Sequence, residues 1–253
     1  MKVPQLTVLL GTLLICILFM CVLFLILSRE TFDADGGGHH RLPRLSLEEL
    51  DQIPYIDEHG NAIDHLSQER QEQEHANKYI AADAVVLELG ARYGTVSCII
   101  NNILDDPFGH VVIEPDNTVL HALVKNRNSH NAYFTVYNAI ISEESQTLME
   151  QGYGSFVQQG TRDTWAPRLP SVSVEHIMDR HGIRFNTLVA DCEGCLEKFF
   201  DENLDFVASL RLIMFEKDQG HMCDYAKIEA SLEAMGFDPI EPGFHSVWQM
   251  QKK

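Results

Sequence analysis

The 253-residue sequence predicts an α/β fold of the Rossmann-like kind, a mostly parallel sheet with helices on both faces. Three observations lead there. Short apolar runs alternate along the chain with helix-like segments. The first run, Val85-Val86-Leu87-Glu88-Leu89, passes through Gly90 and Gly94 into a helix-like segment from Thr95. Four of the runs end in an acid, at Glu88, Glu114, Asp191 and Glu216. In an open parallel sheet the carboxyl ends of the strands form the ligand-binding rim, so acids there mark a site.

Gln5 to Leu27 carries no charge and is dominated by Leu, Ile, Val, Phe and Met. A run of that length can cross a hydrocarbon core of about 30 Å. It exceeds the apolar core of a signal peptide, and Ser28-Arg29-Glu30 is a poor cleavage context. Residues 1–28 are therefore expected to form an uncleaved transmembrane anchor. Lys2 and Arg29 nearly balance the flanking charge, which gives only a mild bias toward a cytosolic N-terminus and a luminal or extracellular remainder.

Residues 29–80 are expected to be a linker with polar stem helices. Gly36-Gly37-Gly38 and Pro43 keep the first part irregular, and His39-His40 within it read as solvated. Ser46-Leu47-Glu48-Glu49 is a capping box opening a short helix. Asp64 to Ile80 reads as one helix so polar that it has little apolar face, which suggests a surface element.

The globular domain is expected over residues 81–253. After the first strand and helix come a strand at Val111–Ile113, a helix at His121–Lys125 and a strand at Phe134–Asn138. Ser142 to Leu169 has no clear period and is expected to hold a hairpin or an irregular insertion. A helix at Val174–His181, a strand at Thr187–Ala190 and a helix at Leu196–Phe200 follow. A strand at Leu212–Phe215, a helix at Tyr225–Met235 stopped by Gly236 and a strand at Phe244–Met250 complete the chain.

The formal net charge of -18 argues against a nucleic-acid partner, because phosphate binding needs a basic face. The loop after the first strand narrows the ligand further. A dinucleotide fingerprint would need glycine at positions 92 and 95, where Arg92 and Thr95 stand, and no phosphate-loop signature occurs. The Glu88 carboxylate would repel a pyrophosphate. A ligand with a cationic end and no phosphate suits the turn better, and S-adenosylmethionine is such a molecule. Glu114, at the end of the second strand, is placed to take the ribose hydroxyls of an adenosine.

Several segments in order resemble the FkbM family of S-adenosylmethionine-dependent methyltransferases. Val86-Leu87-Glu88-Leu89-Gly90-Ala91-Arg92-Tyr93-Gly94 is similar to the family's first motif, and Val112-Ile113-Glu114-Pro115-Asp116 to its acid-Pro step. Asn138-Ala139-Ile140-Ile141-Ser142 resembles the segment after its third strand. Ala190-Asp191-Cys192-Glu193-Gly194 resembles its Asp-x-Glu-Gly motif, and Ile213-Met214-Phe215-Glu216 the following strand. The resemblance implies a seven-stranded class I methyltransferase sheet and O-methylation of sugars or natural products. It makes Glu88, Gly90 and Gly94 the methionine-side loop, Glu114 the ribose partner and Asn138 a neighbour of the adenine. Asp191 would face the methyl group. The chain departs from the family at Val189, where a lysine is frequent, and at Cys195-Leu196-Glu197.

Methyl transfer to oxygen needs alignment and removal of the acceptor proton. Asp191 and Glu193 are the candidate bases, with a turn-capping pair as the alternative. Cys192 and Cys195 lack a thioredoxin-like context and read as small buried residues. Asp191, Glu193, Asp218, His221 and Cys223 are expected near one another, where a divalent cation is conceivable, but no metal ligand is assigned. Arg162 and Trp165 are candidates for shaping an acceptor pocket. The expected partner is a glycan or small-molecule acceptor. Two rival readings stay open: a nicotinamide-dependent oxidoreductase, and an anchored binding module of the same fold without turnover.

Overall fold

The computed structural model describes residues 43–143, 146–151, 154–159 and 169–251. The apolar run from Gln5 to Leu27, His39-His40, Arg162 and Trp165 lie outside the described residues. Among the described residues, no helix is long and apolar enough to cross a membrane.

Among the described residues, three helices precede the sheet: α1 (Leu47–Leu50), α2 (His65–Gln68) and α3 (Arg70–Tyr79). The first half continues with β1 (Val86–Leu89), α4 (Thr95–Ile103), β2 (His110–Ile113), α5 (Leu120–Ser129) and β3 (Thr135–Tyr137). A separate antiparallel hairpin, β4 (Gln146–Gln151) and β5 (Gly154–Gln159), occupies part of the expected insertion. Then come α6 (Val174–His181), β6 (Thr187–Ala190), α7 (Leu196–Glu202), α8 (Leu204–Ala208) and β7 (Leu212–Glu216). The chain closes with α9 (Tyr225–Met235), β8 (Phe237–Glu241) and β9 (His245–Met250).

The main sheet has seven strands in the order β3-β2-β1-β6-β7-β9-β8. β1, β2, β3, β6 and β7 run parallel, and β9 lies antiparallel to β7 and β8. The order reverses beside β1, with β2 on one side and β6 on the other. That is the switch point where such sheets open a crevice.

Side chains alternate between the two faces of each strand. Leu87, Leu89, Leu188, Ala190, Ile213 and Phe215 pack with Ile177 of α6, Phe199 of α7, Val207 of α8 and Leu232 of α9. Val86, Val189, Leu212, Met214 and Val247 face the other way, toward Ala76 of α3 and Ile99, Ile100 and Ile103 of α4. Helices thus cover both faces, as expected.

α1, α2 and α3 fall in the same compact unit as the sheet, a unit that begins at Arg44. The expected stem helix breaks at Glu69, whose φ of −114° and ψ of 1° end α2 and admit α3. α3 is no exposed stem. Its Glu72, Gln73 and Ala76 are buried, and the Gln73 side-chain amide donates to the Thr95 carbonyl at 3.4 Å. Two of its three inward positions are polar, so apolar periodicity carried no sign of burial. β8 was also not expected. It contains Pro239, which a sheet tolerates on an edge strand, and β8 is the edge.

Candidate functional site

The loop after β1 is held by close backbone contact. Gly90 adopts φ +78°, and a Cβ there would stand 1.8 Å from the Asp191 carbonyl oxygen. Its N–H donates to the Ile113 carbonyl at 2.9 Å. One glycine therefore draws the ends of β1, β2 and β6 together. Gly94, at φ +79°, caps α4, and a Cβ there would meet Leu123 Cδ1 at 2.7 Å. It serves helix entry and does not line the cavity.

The other expected cofactor residues do more structural work than the sequence implied. Glu88 is directed along the α4 face, where it accepts from Ser97 Oγ at 2.8 Å and pairs with His110 Nε2 at 2.8 Å. Its carboxylate forms part of the cavity floor with both oxygens already engaged. Glu114 accepts from the backbone N–H groups of Ala91 and Arg92 through one oxygen and of Asp116 through the other. Three of about four lone-pair sites on that carboxylate are used, which leaves one for a ligand hydroxyl. Asn138 donates to the carbonyls of Glu114 and Pro115 and does not reach the cavity wall. It braces the β2 turn.

Between these loops lies a cavity of about 460 Å³, within the usual range for a small-molecule site. Its wall carries seven carboxylates, Glu69, Glu72, Glu88, Glu114, Asp191, Glu193 and Glu216, against two basic residues, Arg92 and Lys198. Glu69 and Glu72 are the residues that sequence reasoning missed. Their spacing places both on one side of a helical turn, which is the only signal the sequence offered.

The concentration of acids shows in their proton affinities. Burial and then the neighbouring carboxylates raise Asp191 and Glu72 well above the ordinary carboxylate range. Burial first, then Asp218 and Glu69, push Glu216 up to about 7. Asp218 rises to about 6, chiefly through burial. His245 is driven down by burial and by the nearby His75. Among the described residues, no lysine or arginine pairs with Glu72, Asp191 or Glu216 in an ion pair.

A stability profile follows from these directions. A carboxyl with a raised folded pKa favours the folded state at low pH, and that contribution is lost as pH rises through the folded value. Histidines with lowered values act oppositely, but only below their unfolded value of about 6.5. Above it, Glu216, Glu72 and Asp191 dominate. The melting temperature of the metal-free protein is expected to fall by about 5 °C between pH 6.5 and 8.5, and Glu216→Gln to flatten the curve. Thermal melts followed by circular dichroism across that range check both.

The β6–α7 loop has tight geometry. Glu193 has φ +53°, and its carboxylate accepts from the Gln219 amide at 2.9 Å. The Gly194 N–H and the Tyr225 hydroxyl both donate to Asp218. Cys192 and Cys195 are joined in a disulfide, which corrects their reading as two small buried thiols. The bridge lines the cavity next to Asp191. The imagined gathering of Asp191, Glu193, Asp218, His221 and Cys223 is only partial. His221 faces solvent, and Cys223 is buried in the apolar core under α9. Glu69 and Glu72 stand beside Asp191 instead, and Glu72 also gathers with Glu216 and His245.

No protein-family model matches the chain, and no curated protein matches it. Solved structures of similar chain path include named methyltransferases. Precorrin-6y C5,15-methyltransferase from Geobacter metallireducens is 14% identical with a TM-score of 0.48, over 83% of this chain and 100% of that one. An O-methyltransferase from Bacillus cereus, solved in complex with SAH, is 12% identical with a TM-score of 0.47, over 87% and 95%. A putative O-methyltransferase from Klebsiella pneumoniae is 12% identical with a TM-score of 0.47, over 90% and 97%.

Proposed function

We propose that the protein is an S-adenosylmethionine-dependent methyltransferase of FkbM type, anchored in a membrane by the run from Gln5 to Leu27, that methylates a hydroxyl on a sugar or other small acceptor. The observation that carries this reading is the acid-walled cavity at the Gly90 bend. A dinucleotide would bring a doubly charged pyrophosphate against Glu88 and Glu114, both buried and, among the described residues, with no lysine or arginine side chain hydrogen-bonded to either. A sulfonium and an ammonium meet favourable charge in the same place. The fit extends to the ribose side, where Glu114 keeps an acceptor site beside the loop it pins.

When bound, S-adenosylmethionine supplies a methyl group on a cationic sulfur. The residues of the chain have three tasks. Gly90 lets the loop approach the β6 end closely enough to form the cavity. The carboxylates bind the cationic ligand and favour it over a phosphate-bearing one. Asp191 or Glu193 accepts the proton that the acceptor hydroxyl loses. Asp191 suits that task because burial and the neighbouring carboxylates raise its proton affinity.

Titration calorimetry should show S-adenosylmethionine binding to the purified protein and no heat with NAD. Asp191→Asn should retain binding and lower methyl transfer by about 10²–10⁴-fold, the range for loss of a general base. Binding of NAD in preference would sink the reading. Binding of S-adenosylmethionine without transfer to any glycan, lipid or small hydroxyl compound would favour an anchored module without turnover.

A further inference from the structure

We propose that Glu72, Glu216 and His245 form a binding site for one divalent transition-metal ion beside the cavity that Glu72 and Glu216 line. Three elements supply the ligands. Glu216 ends β7, and His245 begins β9 directly opposite it in the antiparallel pairing. Glu72 descends onto the pair from α3. The three side chains each offer a donor atom, all within 4.8 Å of one another. His245 Nδ1 lies 3.5 Å from Glu72 Oε1 and 3.8 Å from Glu216 Oε2. Adjacent ligands on an ion with bonds of about 2.1 Å sit about 3.0–3.4 Å apart, so a shift of a few tenths of an ångström brings His245 into range of both carboxylates, and the two carboxylates close on each other from within 4.8 Å.

Two further observations point to a ligand. Among the described residues, Glu72 is buried, with 7% of its surface exposed, yet the side chain it hydrogen-bonds is another carboxyl, Glu69. His245 Nδ1 is shielded from solvent and has no hydrogen-bond partner. Buried polar atoms are ordinarily satisfied. Here a buried carboxyl, bonded only to a second acid, and an imidazole nitrogen without a hydrogen-bond partner face each other. Glu69 and Asp191 form a second triad with Glu72 and deepen the negative potential around it. Burial and His75 favour the neutral form of His245, which is the form that ligates a metal. One imidazole with carboxylates suits manganese, iron or zinc better than magnesium or calcium, which prefer oxygen alone.

The site is independent of the cofactor, so its test uses none. The chelator-stripped protein is titrated with Mn²⁺, and the free-ion signal is followed by electron paramagnetic resonance. About one ion per chain should bind. Glu72→Gln and His245→Ala should each weaken binding at least about tenfold, the scale on which changes around a metal are felt. Thermal melts serve as the folding control. Mn²⁺ should raise the melting temperature of the parent protein. Glu72→Gln should raise it without metal, because a buried repelling charge is removed, and should abolish the metal-dependent rise. The proposal is overturned if the parent protein binds no Mn²⁺ at about 1 mM, or if both variants bind as the parent does. Affinity for organic amines at this position in place of Mn²⁺ also overturns it.

Discussion

Gly90→Ala should unfold the protein or leave it without a ligand site. The added methyl would be built 1.8 Å from the Asp191 carbonyl oxygen, a backbone atom that cannot swing aside. The residue would also have to hold φ +78°, which costs an L-residue about 1–2 kcal/mol before any clash is counted. The clash forces the β1 loop and the β6 end apart, and the total loss should exceed about 4 kcal/mol, the range of core disruption. Gly182→Ala is the internal control. Gly182 also has a positive φ, +64°, but a Cβ there meets nothing within 4 Å. It should lose only about 1 kcal/mol. Urea unfolding of both variants separates conformational strain from steric overlap. Similar losses in the two would mean that the contact with Asp191 does not organise the site.

Glu88→Ala should be the second most damaging change. Its side chain is 2% exposed and that of His110 is 0% exposed. Truncation removes the acceptor for Ser97 Oγ and the partner of His110 Nε2 together, and leaves a void between β1 and α4. Breaking a buried pair from one side typically costs about 3–5 kcal/mol. Glu88→Gln keeps the volume and one acceptor oxygen, so it should lose less. If Glu88 acted only on a ligand, the apo stability of Glu88→Ala would match the parent protein and only binding would change. Unfolding midpoints with and without S-adenosylmethionine distinguish these outcomes.

The parallel part of the fold was legible because its signals are local. Burial on both faces makes β1, β2, β6 and β7 nearly continuous apolar runs. The bounds of α6 and α9 were readable because Ser173 caps one, Asp224 caps the other, and a left-handed glycine ends each. β8 was hidden by its proline, and α8 by its five-residue length.

The site divides the same way. Gly90, Glu114 and Asp191 could be named because each sits where a strand ends. What they bond to could not be read, since a carboxylate satisfied by backbone N–H groups looks identical in sequence to one awaiting a ribose. Glu69 and Glu72 belong to a helix without an apolar stripe. The fact that α3 crosses the sheet ends is a matter of tertiary packing. His245 becomes visible only once β9 is known to run antiparallel beside β7, which sets it opposite Glu216.

That terminal hairpin has a consequence for synthesis. Glu72 is among the early residues of the folded unit and His245 among the last, yet they meet at 3.5 Å. A nascent chain emerging from the ribosome can form β1, α4 and β2 while its acidic crevice still lacks a wall. The Glu72–Glu216–His245 cluster is finished only once β9 has been made, so a product stalled or truncated before β9 would keep much of the sheet and lack the His245 side of that cluster.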